Sequence, residues 1–154
     1  MFLWRCGEGE GGEEEESLTD ASLVAVANHL PDLTQLDFYG GFYKVTDAGV
    51  TELVQKCPKL TSLVLYDCTQ LTDACIFEMA EYCLDLVKLQ LHGRNPHITA
   101  EGLFRLGTKC AKLKEVTLEK EVDYENEKQT LMTQIPHVEW DVQLYFNFID
   151  DCGD

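Results

Sequence analysis

Basic side chains are scarce in this sequence: 12 lysines and arginines stand against 28 aspartates and glutamates, for a formal net charge of −16. That balance argues against nucleic-acid binding, which depends on neutralising phosphates with cations, and against docking on an anionic membrane surface. No apolar run approaches the about 18 residues that a membrane helix needs. The opening "MFLWRC" is too short for a signal-peptide core, and no Arg-rich, acid-poor transit segment is present. No asparagine begins an N-x-[ST] acceptor. The seven cysteines are odd in number and none sits in a C-x-x-C pair, which points to a reducing compartment, cytosol or nucleus, rather than to a disulfide framework.

What the sequence does have is repetition. "LTDACIFEMAEYC" from Leu71 to Cys83 is written nearly the same way as "LTDASLVAVANHL" from Leu18, "VTDAGVTELVQKC" from Val45 and "ITAEGLFRLGTKC" from Ile98. The strand openers Leu33, Leu60, Leu86 and Leu113 lie 27, 26 and 27 residues apart. Apolar residues recur three and five places after each opener: Leu36 and Phe38, Leu63 and Leu65, Leu89 and Leu91, Val116 and Leu118. Thr19, Thr46, Thr72 and Thr99 each stand 14 residues before an opener, and Leu30, Cys57, Cys83 and Cys110 three before. Four columns in register define a repeat array.

Each unit reads as strand, loop and helix. Leu-x-x-Leu-x-Leu is a short strand with its leucines turned inward. The threonine is suited to a helix N-cap, its hydroxyl accepting an orphan backbone N–H. The residue before it (Leu18, Val45, Leu71, Ile98) and the one four after it (Leu23, Val50, Ile76, Leu103) are apolar, a hydrophobic staple written four times. Pro31 and Pro58 stop two helices before the next strand. One such unit cannot bury its own apolar face, so stacked neighbours must supply the core. The helix-end cysteines then form a packing column that also accepts Leu30; being spread one per layer, they do not converge as metal ligands do.

The stretch "CPKLTSLVLYDCTQLTDACI", Cys57 to Ile76, resembles the cysteine-containing leucine-rich repeats of F-box substrate receptors and of the antagonist-of-mitotic-exit-network proteins. Other units depart from the pattern: Gly41, Arg94 and Glu121 replace the strand-end cysteine of Cys68, and Ala100 replaces the aspartate. The resemblance covers residues 1–121. It implies an α/β fold, a curved right-handed leucine-rich-repeat solenoid with a parallel sheet on the concave face and helices on the convex face. It also implies a surface that holds a protein destined for ubiquitin transfer. No F-box-like helical segment precedes the repeats, so ligase membership does not carry over.

The chain divides into residues 1–16, a partial first repeat with an acidic Gly/Glu insert; 17–121, the repeats; 122–142, a divergent capping repeat; and 143–154, an aromatic then acidic tail. "MFLWRC" aligns with "LVLYDC" from Leu63, as if the chain began in mid-strand, and 12 residues separate Cys6 from Thr19 against three between Cys68 and Thr72. The glycines of that insert lie among glutamates that repel phosphate, and no Gly-Lys-Ser/Thr follows, so they are not a phosphate loop. In the cap, Ile135 falls in the column of Cys110 and Val138 in that of the openers, with alternation at Val138, Trp140 and Val142 in place of the leucines. The tail is expected to fold back over the last repeat.

Residues two, four and six places after each opener face away from the leucines. The last of these columns reads Tyr39, Tyr66, His92 and Glu119, with Trp4 ahead of it by alignment. Aromatic side chains with a polar tip dominate interface energetics, so Trp4, Tyr39, Tyr66 and His92 form the candidate partner-binding ridge, flanked by Gln35, Asp37, Lys88 and Gln90. No nucleophile–base pairing is visible, and His29, His97 and His137 lie in different layers; no catalytic residue, metal or cofactor is assigned. The expected function is a non-catalytic protein-interaction module, an adaptor or the substrate-recognition part of a ubiquitin-ligase-type complex. Such a module would be a monomer within a hetero-complex, its partners bearing basic surfaces. The alternative is a scaffold, assembly factor or structural subunit of a larger complex, loosely resembling the leucine-rich coupling-factor-B type of mitochondrial protein.

Overall fold

A computed structural model of the chain describes residues 18–38, 44–95, 97–120 and 125–144. Helices and strands alternate: α1 (Asp20–His29), β1 (Gln35–Phe38), α2 (Asp47–Lys56), β2 (Ser62–Leu65), α3 (Asp73–Tyr82), β3 (Lys88–Arg94), α4 (Ala100–Lys109), β4 (Glu115–Lys120), α5 (Glu125–Gln134) and β5 (Glu139–Leu144). The strands make one five-stranded parallel sheet in sequence order, β1-β2-β3-β4-β5. The helices neighbour one another in the same order. The acidic insert, the Gly41 and Glu121 positions and the tail 145–154 lie outside the described residues.

The sheet register follows the repeat count. Leu36 pairs with Leu63, Leu63 with Leu89, Leu89 with Val116 and Val116 with Trp140. These residues belong to a single apolar cluster with the staple residues Val45, Val50, Leu71, Ile76, Ile98 and Leu103. Short strands suffice because the parallel ladder is anchored at its entry. Thr34 O accepts from Thr61 N and Ser62 N at 2.7 and 3.2 Å, Thr61 O from Val87 N and Lys88 N at 2.8 and 3.1 Å, and Val87 O from Lys114 N and Glu115 N at 2.8 and 3.2 Å.

The Thr-Asp motif joins layers as well as starting helices. Thr46 and Thr72 accept from the amides of Ala48 and Ala74 at 3.3 and 3.1 Å, the expected caps. Each also donates twice to the aspartate one repeat earlier: Thr46 N and Oγ1 to Asp20 at 2.8 and 2.7 Å, and Thr72 N and Oγ1 to Asp47 at 2.8 and 2.6 Å. Thr99 departs from the cap expectation, making no side-chain cap bond. Its N and Oγ1 instead donate to Asp73 at 2.8 and 2.5 Å. The aspartate needs room three places after the next threonine, and that column reads Ser22, Gly49, Cys75 and Gly102. A Cβ on Gly49 or Gly102 would overlap the Oδ1 of Asp20 or Asp73.

The helix-end column is also more than packing. Cys57 Sγ–H donates to Leu30 O at 3.4 Å, Cys83 to Val54 O and Cys57 O at 3.9 and 4.0 Å, and Cys110 to Cys83 O at 3.4 Å. Each thiol thus meets a carbonyl that the end of the preceding helix leaves without an intrahelical donor. Prolines are dispensable there: α3 and α4 stop at the same column with Leu84 and Ala111 in the proline position.

Two places depart from simple counting. From Leu91 to Thr99 the chain has one more residue than from Leu65 to Thr72, so that Thr46 bridges Gln70 and Thr72 bridges His97. Asn95, fully buried, therefore stands in the column of Cys68, not Arg94. The register against β4 shifts between Leu91 and Arg94. In the last unit one residue is omitted between the opener Val138 and the inward Trp140. Val138 N still donates to Ile135 O at 3.3 Å, as Leu113 N does to Cys110 O at 2.9 Å. Trp140 donates through Nε1 to Ile135 O at 3.4 Å, and Gly107 leaves the space that Ile135 and Trp140 occupy.

Leu63→Ala is expected to lower the unfolding free energy by about 2–5 kcal/mol, while Ser62→Ala, one residue away, is close to neutral in urea titration; equal losses would refute the register. Gly102→Ala, normally a favourable change within a helix, should destabilise the native chain. In an Asp73→Ala background, itself lower by about 1–3 kcal/mol, the same substitution should become neutral or stabilising, a sign change that a double-mutant cycle reads directly.

Candidate functional site

The candidate site lies where β2, β3 and β4 end. Tyr66 and His92, adjacent in the register, stack with ring centroids 4.2 Å apart and planes at 11°. The chain turns sharply after each: Asp67 has φ 59° and Gly93 φ 97°. Aspartate tolerates the left-handed region, and Gly93 needs no Cβ where its backbone closes on that of Asp67. This turn aims the Gly93 N–H at Glu119 Oε2, at 2.7 Å. Glu119 Oε1 meets His92 Nδ1 at 3.0 Å. Because a carboxylate brings no proton, Nδ1–H is the donor to Glu119.

Glu119 was expected to face solvent with its column, yet it is only 8% exposed. Its charge-assisted bonds hold His92 Nδ1 and the Gly93 N–H, while Tyr66 stacks on the imidazole. Val64 and Thr117, also on outward columns, are buried as well. The middle of this face is therefore screened by its neighbours, and Gln35, Glu139 and Asp141 are its exposed members.

The flanking residues take defined places. Gln35 opens β1 in the row of Lys88, and Asp37 lies in the row of Gln90. Lys88 Nζ pairs with Glu115 at 3.3 Å, and Gln90 Nε2 donates to Glu115 Oε1 at 2.5 Å and to Thr117 Oγ1 at 3.4 Å. Among the described residues, Asp37 Oδ1 is buried without a hydrogen-bond partner. Trp4 and Tyr39, the remaining members of the expected ridge, lie outside the described residues. The structure thus brings Tyr66 and His92 together and adds Glu119 and Gly93 behind them. Glu119 was visible as the fourth member of the column; the role of Gly93 could be suspected only from the longer loop after Leu91.

Among the described residues, no three His, Cys, Asp or Glu side chains are placed to share a metal ion, and no helix is long and apolar enough to cross a membrane. The five described cysteines are free and buried. Burial pushes the thiols of Cys68 and Cys83 up to about 12 and that of Cys110 to about 11. Cys57 and Cys75 shift upward for the same reason, with the Asp47 carboxylate adding to the effect at Cys75. No protein-family model matches the chain.

Thiols held protonated do not attack electrophiles. In peptide-resolved iodoacetamide labelling near neutral pH, Cys57, Cys68, Cys75, Cys83 and Cys110 should react only on unfolding. A group whose native pKa is raised favours the native state below its unfolded value and loses that contribution as pH climbs through the native one. Stability should therefore fall as pH rises from the ordinary thiol value of 9.0 toward about 12; a flat profile over that window would contradict the burial of these thiols.

Proposed function

We propose that the chain is a non-catalytic protein-interaction module, built as a curved leucine-rich-repeat solenoid with its sheet on the concave face. The sequence-ordered parallel sheet and the strict register of the leucine column support that architecture. The resemblance of Cys57 to Ile76 to F-box receptor repeats supports a role as adaptor or substrate-recognition part of a ubiquitin-ligase-type complex, in cytosol or nucleus.

One observation carries the interaction reading: the Tyr66–His92 stack, held by Glu119 where β2, β3 and β4 end. A pre-ordered aromatic pair binds without losing rotamer freedom, which is the cost that weakens flexible surfaces. The His92 ring meets the Glu119 carboxylate through Nδ1, and that contact fixes the orientation in which the imidazole would meet a partner. The net charge of −16 favours partners with basic surfaces, steering their approach.

Affinity purification with the full chain should recover ubiquitin-ligase components together with a partner whose affinity falls by about 1–3 kcal/mol on Tyr66→Ala. Recovery of organelle-complex subunits alone would move the assignment to an assembly scaffold. Partners indifferent to both Tyr66→Ala and His92→Ala would remove the ridge from the interface.

A further inference from the structure

Among the described helices, α5 is the one joined to its predecessor without the ties that hold the others. The helix-start carboxylate column runs Asp20, Asp47, Asp73 and then Ala100, so α4 offers no acceptor to the helix that follows. The helix-end thiol column runs Cys57, Cys83, Cys110 and then Ile135, so α5 brings no Sγ–H to a carbonyl of α4. Surface pairs stop at the same joint. Lys56 Nζ reaches Asn28 at 2.8 Å, Gln55 Nε2 reaches Glu78 at 2.9 Å, and Arg105 and Lys109 reach Glu81 at 2.7 and 3.4 Å. Among the described residues no salt bridge joins α4 to α5. Arg105 of α4 also lies over Phe77 of α3, 4.9 Å from the ring centroid, whereas Phe104, the next aromatic of that column, is 41% exposed. α1 stands at the other end of the described array, yet it keeps both ties, Asp20 to Thr46 and Leu30 O to Cys57.

What holds α5 is a small apolar seat. Leu131 is buried in the column of Leu53, Met79 and Leu106. Ile135 fills the hollow at Gly107, where a Cβ would stand 2.8 Å from Ile135 Cδ1. Met132 is 46% exposed, although Ala27, Val54 and Ala80 of the same column are buried between layers. β5, by contrast, pairs with β4 from Glu139 to Leu144. We propose that α5 is a lid: it lifts from α4 while α1 to α4 and the five-stranded sheet stay folded, uncovering the Gly107 hollow and the Trp140 ring. Opening gives up the burial of Leu131 and Ile135 and the Trp140 Nε1 bond to Ile135 O, and it breaks none of the strand ladder. Such local opening lets a chain expose apolar surface without unfolding. The lid stands whether or not the Tyr66–His92 pair meets a partner.

Hydrogen exchange of the full chain, read peptide by peptide by mass spectrometry across a urea series, tests this. Amides of α5 should exchange about tenfold or more faster than those of α1, α2 and α3. Their urea dependence should be weaker, because little surface is uncovered, and β5 should stay as protected as β4. Gly107→Ala crowds Ile135 while improving the helix propensity of α4, so it should speed exchange in α5 severalfold and leave α2 and α3 unchanged. Leu131→Ala should act on α5 in the same selective way, whereas Leu106→Ala, the matching change in α4, should reach α3 as well. Protection of α5 equal to that of α1 with the same urea slope would overturn the proposal. So would loss of protection in β5 together with α5, or a Gly107→Ala effect spread over α2 and α3.

Discussion

An aspartate at the start of one helix holds the threonine that starts the next. This bond, made three times between Asp20 and Thr46, Asp47 and Thr72, and Asp73 and Thr99, is the constraint on which the remaining geometry depends. It fixes the distance and rotation between successive helix N-termini. The Cys57–Leu30, Cys83–Cys57 and Cys110–Cys83 contacts repeat the arrangement at the C-termini. α2, α3 and α4 are each tied to the preceding helix at both ends, and the strands between them need only four residues of ladder in β1 and β2.

Magnitudes separate the roles of these forces. Full burial of one leucine is worth about 1.5–3 kcal/mol, and each layer buries several. A net hydrogen bond contributes about 0.5–1.5 kcal/mol. Burial therefore dominates stability and sets which face of each strand turns inward. The directional bonds add the distance and rotation between neighbouring units. At the site the balance reverses: the Glu119 carboxylate is kept from water, its bonds to His92 and Gly93 compensate for that, and a defined orientation of one imidazole results.

The strand register was readable by counting because burial demands an apolar residue at the same place in every layer, and Leu36, Leu63, Leu89 and Val116 stand there. The cross-layer half of the Thr-Asp motif was not readable. Threonine and aspartate are adjacent in sequence, so the pair looks like a local cap, whereas each residue bonds a different repeat. The small residues Gly49 and Gly102 were its only trace. Asn95 was misplaced onto Arg94 because a bulge changes the count by one, and Trp140 reaches the leucine column by omission of a residue. The site was half legible: Tyr66 and His92 by column, but the buried state of Glu119 depends on its bonds to His92 and Gly93 of the neighbouring strand, which no linear pattern records.

Because the Thr–Asp ties and the helix-end cysteine ties each reach one unit back, the molecule has a quantum of length. Adding or removing a whole period of 26 or 27 residues leaves those aspartates with a threonine and those thiols with a carbonyl. A partial step strands both sets at once. The stretch that follows the Leu65 and Leu91 column lies outside this accounting, so variation in such a chain is channelled to the strand ends, where Tyr66 and His92 meet.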